Sequence, residues 1–163
     1  MSNSDVAQSN NRPGIKAGQS NEFTVIMKLK PGGAERLRKL LTSGNKFTGQ
    51  NQPLMDRMGT VHDMRFCIFD NDTRLLFAST FDGDWDQYLD DFGVLIPGPI
   101  DIVFGEAEGW PGIRSPAAKD WTAKHQVPAT FFYSAYPNAS VKDLGKAMKV
   151  KGALDVLLDA TSS

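Results

Sequence analysis

The sequence has few of the residues from which disulfides and metal sites are built. It contains one cysteine, Cys67, and two histidines among its 163 residues. A single cysteine cannot form a disulfide within the chain, and two histidines are too few for a three-histidine zinc site. Cys67 stands between Phe66 and Ile68, so we interpret it as a small core residue first and a reactive thiol second.

The chain also lacks a charge excess and a long apolar run. Its formal net charge is -1, whereas nucleic-acid binding needs a basic surface, so no nucleic-acid partner is expected. No stretch approaches the roughly 18 apolar residues that indicate a membrane span, and no membrane partner is expected. Residues 1–21 are polar and have no apolar stretch of the secretory type, which predicts a flexible tail on a cytoplasmic protein.

Residues 22–160 have the periodicity of one α+β domain. Alternating apolar residues predict a first strand at residues 23–30, and the run AERLRKLLTSG predicts the helix that follows. A strand at residues 60–69 and a third strand, TRLLFASTF, are joined by Asp70-Asn71-Asp72, whose residue types favour a tight turn. We therefore expect these two strands to form a hairpin.

The C-terminal half is predicted to be mainly helical. Asp84 is a candidate N-cap for a helix after the hairpin, and Ser115 begins another helix that ends near His125. A last strand, ATFFYSAY, then precedes a closing helix at residues 140–160. The apolar side of this closing helix is expected to comprise Val141, Leu144, Met148, Leu154 and Leu158.

In order, the elements are β-α-β-β-α-(α)-β-α. This order matches the ferredoxin-like split βαβ pattern, in which helices cover one face of an antiparallel sheet. The strands carry apolar residues on both faces, so the second face also needs a cover. A second copy of the chain is the simplest cover, and we expect a homodimer that closes into an α/β barrel around an internal cavity.

One long segment, GTVHDMRFCIFDNDTRLLFASTFDGDWDQYLDDF, resembles small proteins of the dimeric α/β-barrel superfamily, and KHQVPATFFY adds to the likeness. That superfamily includes the dye-decolorising peroxidases and the chlorite-dismutase-like proteins. The peroxidases carry a Gly-x-x-Asp-Gly motif on the distal side of their haem. Ser79-Thr80-Phe81-Asp82-Gly83 is similar to it, although Ser79 replaces the first glycine and a second ferredoxin-like half is missing.

The resemblance implies haem-dependent or cofactor-free oxidative chemistry in the cavity. It also implies roles for five residues. Asp82 would transfer a proton, and either His62 or His125 would be the axial haem ligand. Arg65 or Arg114 would stabilise charge.

His62 is expected on one face of its strand, together with Met64, Phe66 and Ile68. If that face lines the cavity, a neutral imidazole there would be able to ligate iron or to act as a base. The alternative is a core histidine that hydrogen-bonds the backbone.

The other candidate residues also have structural alternatives. His125 lies near the end of its predicted helix, where a histidine interacts favourably with the helix dipole. Asp63 and Arg65 alternate with apolar neighbours on the opposite face of the strand. They would either position an anionic substrate or form an ordinary ion pair.

Two functions remain open from the sequence. The first is a small oxidoreductase-like enzyme that uses an apolar cavity for oxidative chemistry on a small hydrophobic or aromatic molecule. The alternative is a non-catalytic ligand-binding module or a structural dimer. This alternative is supported by the absence of a strong catalytic constellation, and the chain also has neither the phosphate-binding pattern GxxxxGK[ST] nor the serine-hydrolase pattern GxSxG.

Overall fold

The structure, a computed structural model, describes residues 16–43 and 57–161. These residues form an α+β fold with an antiparallel sheet, as the sequence predicts; the sheet has four strands. Residues 1–15 of the predicted tail lie outside the described residues. So does most of the predicted connection at residues 45–58.

The sheet begins before the first predicted strand, and the chain after the last strand is mainly helical. The strands are β1 (Lys16–Ala17), β2 (Ser20–Lys28), β3 (Val61–Phe69) and β4 (Arg74–Asp82). The helices are α1 (Gly33–Thr42), α2 (Trp85–Leu95), α3 (Pro97–Phe104), α4 (Ala118–His125) and α5 (Val141–Thr161). The strand order is β1-β2-β4-β3, and every neighbouring pair is antiparallel. β2 already begins at Ser20 because its first residues pair with the end of β4.

The predicted hairpin of β3 and β4 is confirmed. Its turn residues Asp70, Asn71 and Asp72 all have positive φ angles, 54°, 51° and 68°. Asp and Asn tolerate this left-handed conformation better than most residues do. The turn chemistry visible in the sequence therefore fixes the connection.

One irregularity interrupts the ladder between β3 and β4. Val61 pairs with Phe81 and Asp63 pairs with Thr80, which leaves His62 as an extra residue in β3. A bulge of this kind breaks the strict alternation of side chains along the strand. The predicted alternation therefore holds only after the bulge.

The hydrophobic core lies between one face of the sheet and the helices α1, α2 and α3. Phe77 on β4 is fully buried and meets Phe23 and Phe92 edge to face, with ring centroids 5.8 and 6.3 Å apart. Burial of each such ring contributes about 1.5–3 kcal/mol. Met64 and Phe66 of β3 pack against this core, so they lie on the helix-covered face of the sheet.

The opposite face of the sheet is called the open face below, because its β3 side chains are exposed. It carries Asp63, Arg65 and Cys67. The interpretation of Cys67 as a core residue is therefore wrong. Strand alternation turns Cys67 away from the core that its neighbours Phe66 and Ile68 contact.

The helix predicted after the hairpin is confirmed as α2. Its N-cap is Asp84, whose side chain accepts hydrogen bonds from the N–H groups of Asp86 and Gln87. α2 ends at Leu95, and Pro97-Gly98-Pro99 begins α3. Proline is well suited to a first helical turn because the N–H it lacks has no partner there.

The segment ATFFYSAY is irregular, and the predicted last strand is wrong. Val127 N donates to Thr24 O of β2 at 2.9 Å, but the ladder does not continue. Pro128 has no N–H to donate. Ala129 N donates instead to the side chain of Glu22, at 2.9 Å from Oε1, and not to a backbone carbonyl of β2.

The closing helix is confirmed as α5, and its predicted cap is present. Asp143 N donates to Ser140 Oγ at 3.1 Å, and Ser140 N donates to Asp143 Oδ2 at 3.0 Å. These reciprocal bonds form a capping box, which satisfies helix-terminal N–H groups.

The apolar side chains of α5 are not buried, although the sequence predicts an apolar side. None of its 21 residues is buried, and Leu154 and Leu157 are 50% and 62% exposed. Within residues 150–158, apolar side chains occur all around the helix, a pattern typical of helices that are covered by other elements. In the part of the chain that the structure describes, no helix is long and apolar enough to cross a membrane.

Candidate functional site

His62 and Asp82 meet where β3 and β4 approach the start of α5. The bulge turns His62 toward the neighbouring strand, where its Nε2 lies 2.7 Å from Asp82 Oδ1 and 3.4 Å from Ser20 Oγ. The two side chains are 17% and 11% exposed. The prediction that His62 shares the face of Met64 is therefore wrong, because the bulge breaks the alternation between them.

Asp82 also holds the start of α5. Its second oxygen, Oδ2, accepts a hydrogen bond of 2.7 Å from Val141 N. Negative charge is favourable at a helix N-terminus because the helix dipole is positive there. Asp82 thus connects the sheet, His62 and α5 through one carboxylate.

This arrangement fixes the tautomer of His62. An ionised carboxylate only accepts hydrogen bonds, so Nε2 carries the hydrogen that Asp82 accepts. In the neutral ring Nδ1 then has a lone pair, and it has no partner among the described residues. His62 is therefore held in an orientation in which Nδ1 is able to accept a proton.

An open cleft of about 800 Å³ lies between β3 and the first half of α5. Its strand side combines the apolar Val61 and Met64 with the polar His62 and Asp63. Val61 and Met64 also pack against the core, so this side is anchored to the fold. The volume is within the range of small-molecule sites in proteins.

The helix side of the cleft is positively charged. Lys142, Lys146 and Lys149 follow each other at i, i+4 and i+7, which places them on one face of α5, and all three line the cleft. Gly145 lies on the same face, and a side chain added there would meet open space. The cleft therefore has a partly apolar strand side and a cationic helix side.

The acidic residue of the same helical turn is already engaged. Hydrogen bonds from the side chain and backbone of Ser140, together with the charge of Lys146, lower the pKa of Asp143. Its carboxylate serves the capping box and does not line the cleft. The lysine row thus keeps its positive charge beside the cleft.

A smaller cavity of about 220 Å³ lies on another side of His62. It is bounded by Thr80 of β4, by Leu144 of α5 and by residues 132–136 of the irregular segment. His62 therefore lines two cavities, and Tyr133 and Tyr136 place aromatic rings at the smaller one.

Only two of the five predicted site residues come together, and the other three lie elsewhere. Arg65 is exposed on the open face of β3. His125 on α4 stacks on Trp121 and donates from Nδ1 to the Trp121 carbonyl at 2.7 Å. Arg114 donates from Nε to a backbone carbonyl of α2 at 3.1 Å.

The residues expected to hold haem do not fit a common site. The resemblance implies an axial histidine and a distal Asp82 on opposite sides of a haem, but His62 Nε2 lies 2.7 Å from Asp82 Oδ1, and His125 belongs to a separate helix. Within the described residues, no group of three or more His, Cys, Asp and Glu side chains is placed to hold a metal ion. Ser79, which takes the place of the first glycine of the peroxidase motif, is buried on the helix-covered face, with Oγ 2.7 Å from the hydroxyl of Tyr88. We therefore derive no step through haem.

Two features of this region were not predicted from the sequence. The spacing of Lys142, Lys146 and Lys149 is visible in the sequence, but no local signal places them beside β3. Glu22 is only 6% exposed, and its carboxylate accepts a hydrogen bond from Ala129 N. Both features depend on contacts between residues that are distant in the sequence.

Comparison of the chain with protein-family models, with curated proteins and with solved structures gave no match. The resemblance to the dimeric α/β-barrel superfamily therefore stays a prediction.

Proposed function

We propose that the chain is a homodimeric binding module for a small, predominantly apolar molecule, which lies in the cleft between β3 and α5. The observation that carries this proposal is the cleft itself, a volume of about 800 Å³ with Val61 and Met64 on its strand side. The apolar residues supply contact area, and His62 supplies a directional hydrogen-bonding group at the same place.

Simple energetics are consistent with a useful affinity. Each methylene group that a ligand buries contributes about 0.8 kcal/mol. A ligand with an alkyl chain that fills the cleft would bind with a dissociation constant on the order of micromolar, after the entropic cost of association. The polar partners would then select among ligands of similar size.

The cleft is tested by filling it. Gly145→Leu places a side chain in the open space of the cleft, whereas Gly152→Leu makes the same change on α5 away from the cleft lining. We expect Gly145→Leu to weaken the binding of dodecan-1-ol about tenfold or more, as measured by displacement of an uncharged fluorescent probe. Gly152→Leu should bind like the unchanged protein, and equal affinities for all three proteins would contradict the proposal.

The homodimer is proposed because two surfaces of one chain lack a cover. These are the open face of the sheet and the apolar residues 150–158 of α5. Symmetric pairing of two copies buries both surfaces at once, since each copy supplies one to the other. With 21 residues, α5 is about 31 Å long. Residues 150–158 make up about 14 Å of this length, which is close to the width of a four-stranded sheet whose strands lie about 4.8 Å apart.

Such a dimer keeps the homodimeric pairing expected from the sequence, but α5 of each copy, and not a second sheet, covers the open face. The order β2-β4-β3 is the order of the first three strands of a ferredoxin-like sheet. In the proposed dimer, α5 of the partner covers the face of the sheet that the partner's sheet would cover in the expected barrel.

A second candidate function is cofactor-free oxidative chemistry in the same cleft, favoured by the His62–Asp82 pair. Nδ1 of His62 would take a proton from a bound phenol, and the resulting anion would transfer one electron to molecular oxygen, which leaves as superoxide while the phenoxyl radical remains bound. Both oxygens of Asp82 accept hydrogen bonds, which suits a positioning role better than the predicted proton transfer.

This second function has its own test. A phenolic probe such as 1-naphthol should cause oxygen consumption that His62→Gln abolishes while the probe still binds. If the unchanged protein binds the probe without consuming oxygen, the binding function is retained and the enzymatic function is contradicted.

A further inference from the structure

We propose that the molecule in the cleft is an anionic amphiphile, whose negatively charged head group lies against the row of Lys142, Lys146 and Lys149. This inference rests on the proposed function, because it names the class of ligand for the same cleft. The head group would be a carboxylate, a sulfate or a phosphate, and the apolar body would contact Val61 and Met64.

The charge balance of the cleft favours an anion. Three lysines line it, and Asp63 is the one carboxylate among its lining residues. Lys142, Lys146 and Lys149 form no ion pair within the described residues. By contrast, the charge of Lys151, which also lies on α5, is neutralised, because its Nζ lies 2.6 Å from Asp155 Oδ2.

The row is also unfavourable for the helix itself. Like charges at i, i+4 repel each other and destabilise a helix, and Lys142 near the N-terminus meets the positive end of the helix dipole. Acidic residues are the ones that stabilise such a position. An anion bound along the row would reverse both effects.

The spacing and the residue type define the head group further. Lys142 and Lys149 are separated by about 10 Å along the helix axis, so at least two lysines can contact one compact anion. Lysine presents a mobile point charge, in contrast to the planar fork of arginine. The site therefore selects negative charge and does not require the flat geometry of a particular head group.

The position of the row decides between a small ligand and a membrane surface. A flat anionic membrane would attract lysines that point outward from the molecule. These lysines are exposed, but they also border a cleft whose opposite side carries His62 and Met64. A single amphiphile fits between the two sides, and a bilayer does not.

The test compares two ligands that differ only in the head group, dodecanoate and dodecan-1-ol. We expect the unchanged protein to bind dodecanoate about tenfold more tightly at low salt, and the difference to shrink as salt screens the charges. The variant with Lys142→Gln, Lys146→Gln and Lys149→Gln should bind both ligands equally. Lys151→Gln is the matched control and should keep the preference. Lysine and glutamine have similar helix propensities, so α5 should stay folded.

The other outcomes separate this inference from the proposed function. Equal binding of the two ligands, unaffected by the lysine substitutions, would overturn the anionic class and leave the apolar binding module intact. Failure of both ligands to bind would overturn both proposals. Lysine-dependent binding to phosphatidylglycerol vesicles, without binding of monomeric dodecanoate, would overturn the small-molecule ligand in favour of a membrane surface.

Discussion

His62 Nε2 and Asp82 Oδ1 lie 2.7 Å apart on neighbouring strands, at the end of the sheet from which α5 departs. The other oxygen of Asp82 accepts the N–H of Val141 at 2.7 Å. One carboxylate thus orients the imidazole and fixes the helix that forms the opposite side of the cleft. A change at Asp82 is therefore expected to affect stability and ligand binding together.

The first prediction concerns this carboxylate. Asp82→Asn should lower the free energy of unfolding by about 1–2 kcal/mol, because an amide offers one acceptor oxygen where the carboxylate offers two. Urea denaturation measures this change, and amide hydrogen exchange should show faster exchange at the start of α5. Asp84→Asn is the matched control, since Asn caps a helix about as well as Asp. Equal losses in the two variants would contradict the bridging role.

The second prediction concerns the dimer. Val156→Asp should convert the dimer to a monomer in sedimentation-velocity experiments, because it places a charge within the apolar residues 150–158. Val94→Asp is the matched control on α2. Val156 and Val94 are 70% and 73% exposed in the single chain, so the two substitutions should affect the stability of the monomer to a similar extent.

Cys67 provides a second readout of the same dimer. Its thiol lies on the open face and is exposed in the single chain. In the proposed dimer it should react slowly with iodoacetamide, and Val156→Asp should restore fast reaction. Equal reaction rates in the unchanged protein and in the variant would contradict the placement of a second copy on this face.

The third prediction concerns pH and the start of α5. Hydrogen bonds from Ser140 lower the pKa of Asp143 in the folded protein below its ordinary value of 3.8. The stabilisation that ionised Asp143 gives the folded protein is therefore complete above pH 3.8, and it is lost as the pH falls through the lower pKa of the folded state. Circular dichroism should show α5 fraying below about pH 3.8. Asp143→Asn should weaken this pH dependence, and Asp159→Asn at the other end of α5 should retain it.

The fourth prediction concerns haem. Because His62 contacts Asp82 directly and His125 lies on a separate helix, the predicted haem-site residues do not surround one site, and addition of haemin should give no stoichiometric Soret band that depends on either histidine. Ultraviolet-visible titration of the unchanged protein, His62→Ala and His125→Ala checks this. A one-to-one band that disappears in His62→Ala would restore the haem-dependent function.

Local chemistry accounts for the parts of the fold that the sequence predicts well. The hairpin turn at residues 70–72, the Asp84 cap and the Ser140 cap each depend on a few adjacent residues. The α+β class follows from the same periodicities. These features need no knowledge of distant contacts, and the structure confirms them.

The features that the sequence missed depend on distant contacts. The face of His62 is set by a bulge, which is a property of the ladder between two strands. The expected last strand is lost because Pro128 cannot donate and Glu22 captures the next N–H. The spacing of the lysine row is visible in the sequence, but the contact of Asp82 with Val141, which holds the start of α5 beside the sheet, is not.

The most direct measurement of the central claim is a nuclear magnetic resonance titration of the labelled protein with dodecan-1-ol, followed through backbone amide shifts. The account predicts that the shifted amides cluster at residues 59–64 and 141–149, on the two sides of the cleft. A competing cavity of about 480 Å³ lies beside Arg114 and Lys119. Shifts centred on that cavity, or no saturable shifts at all, would contradict the claim that the cleft between β3 and α5 is the binding site.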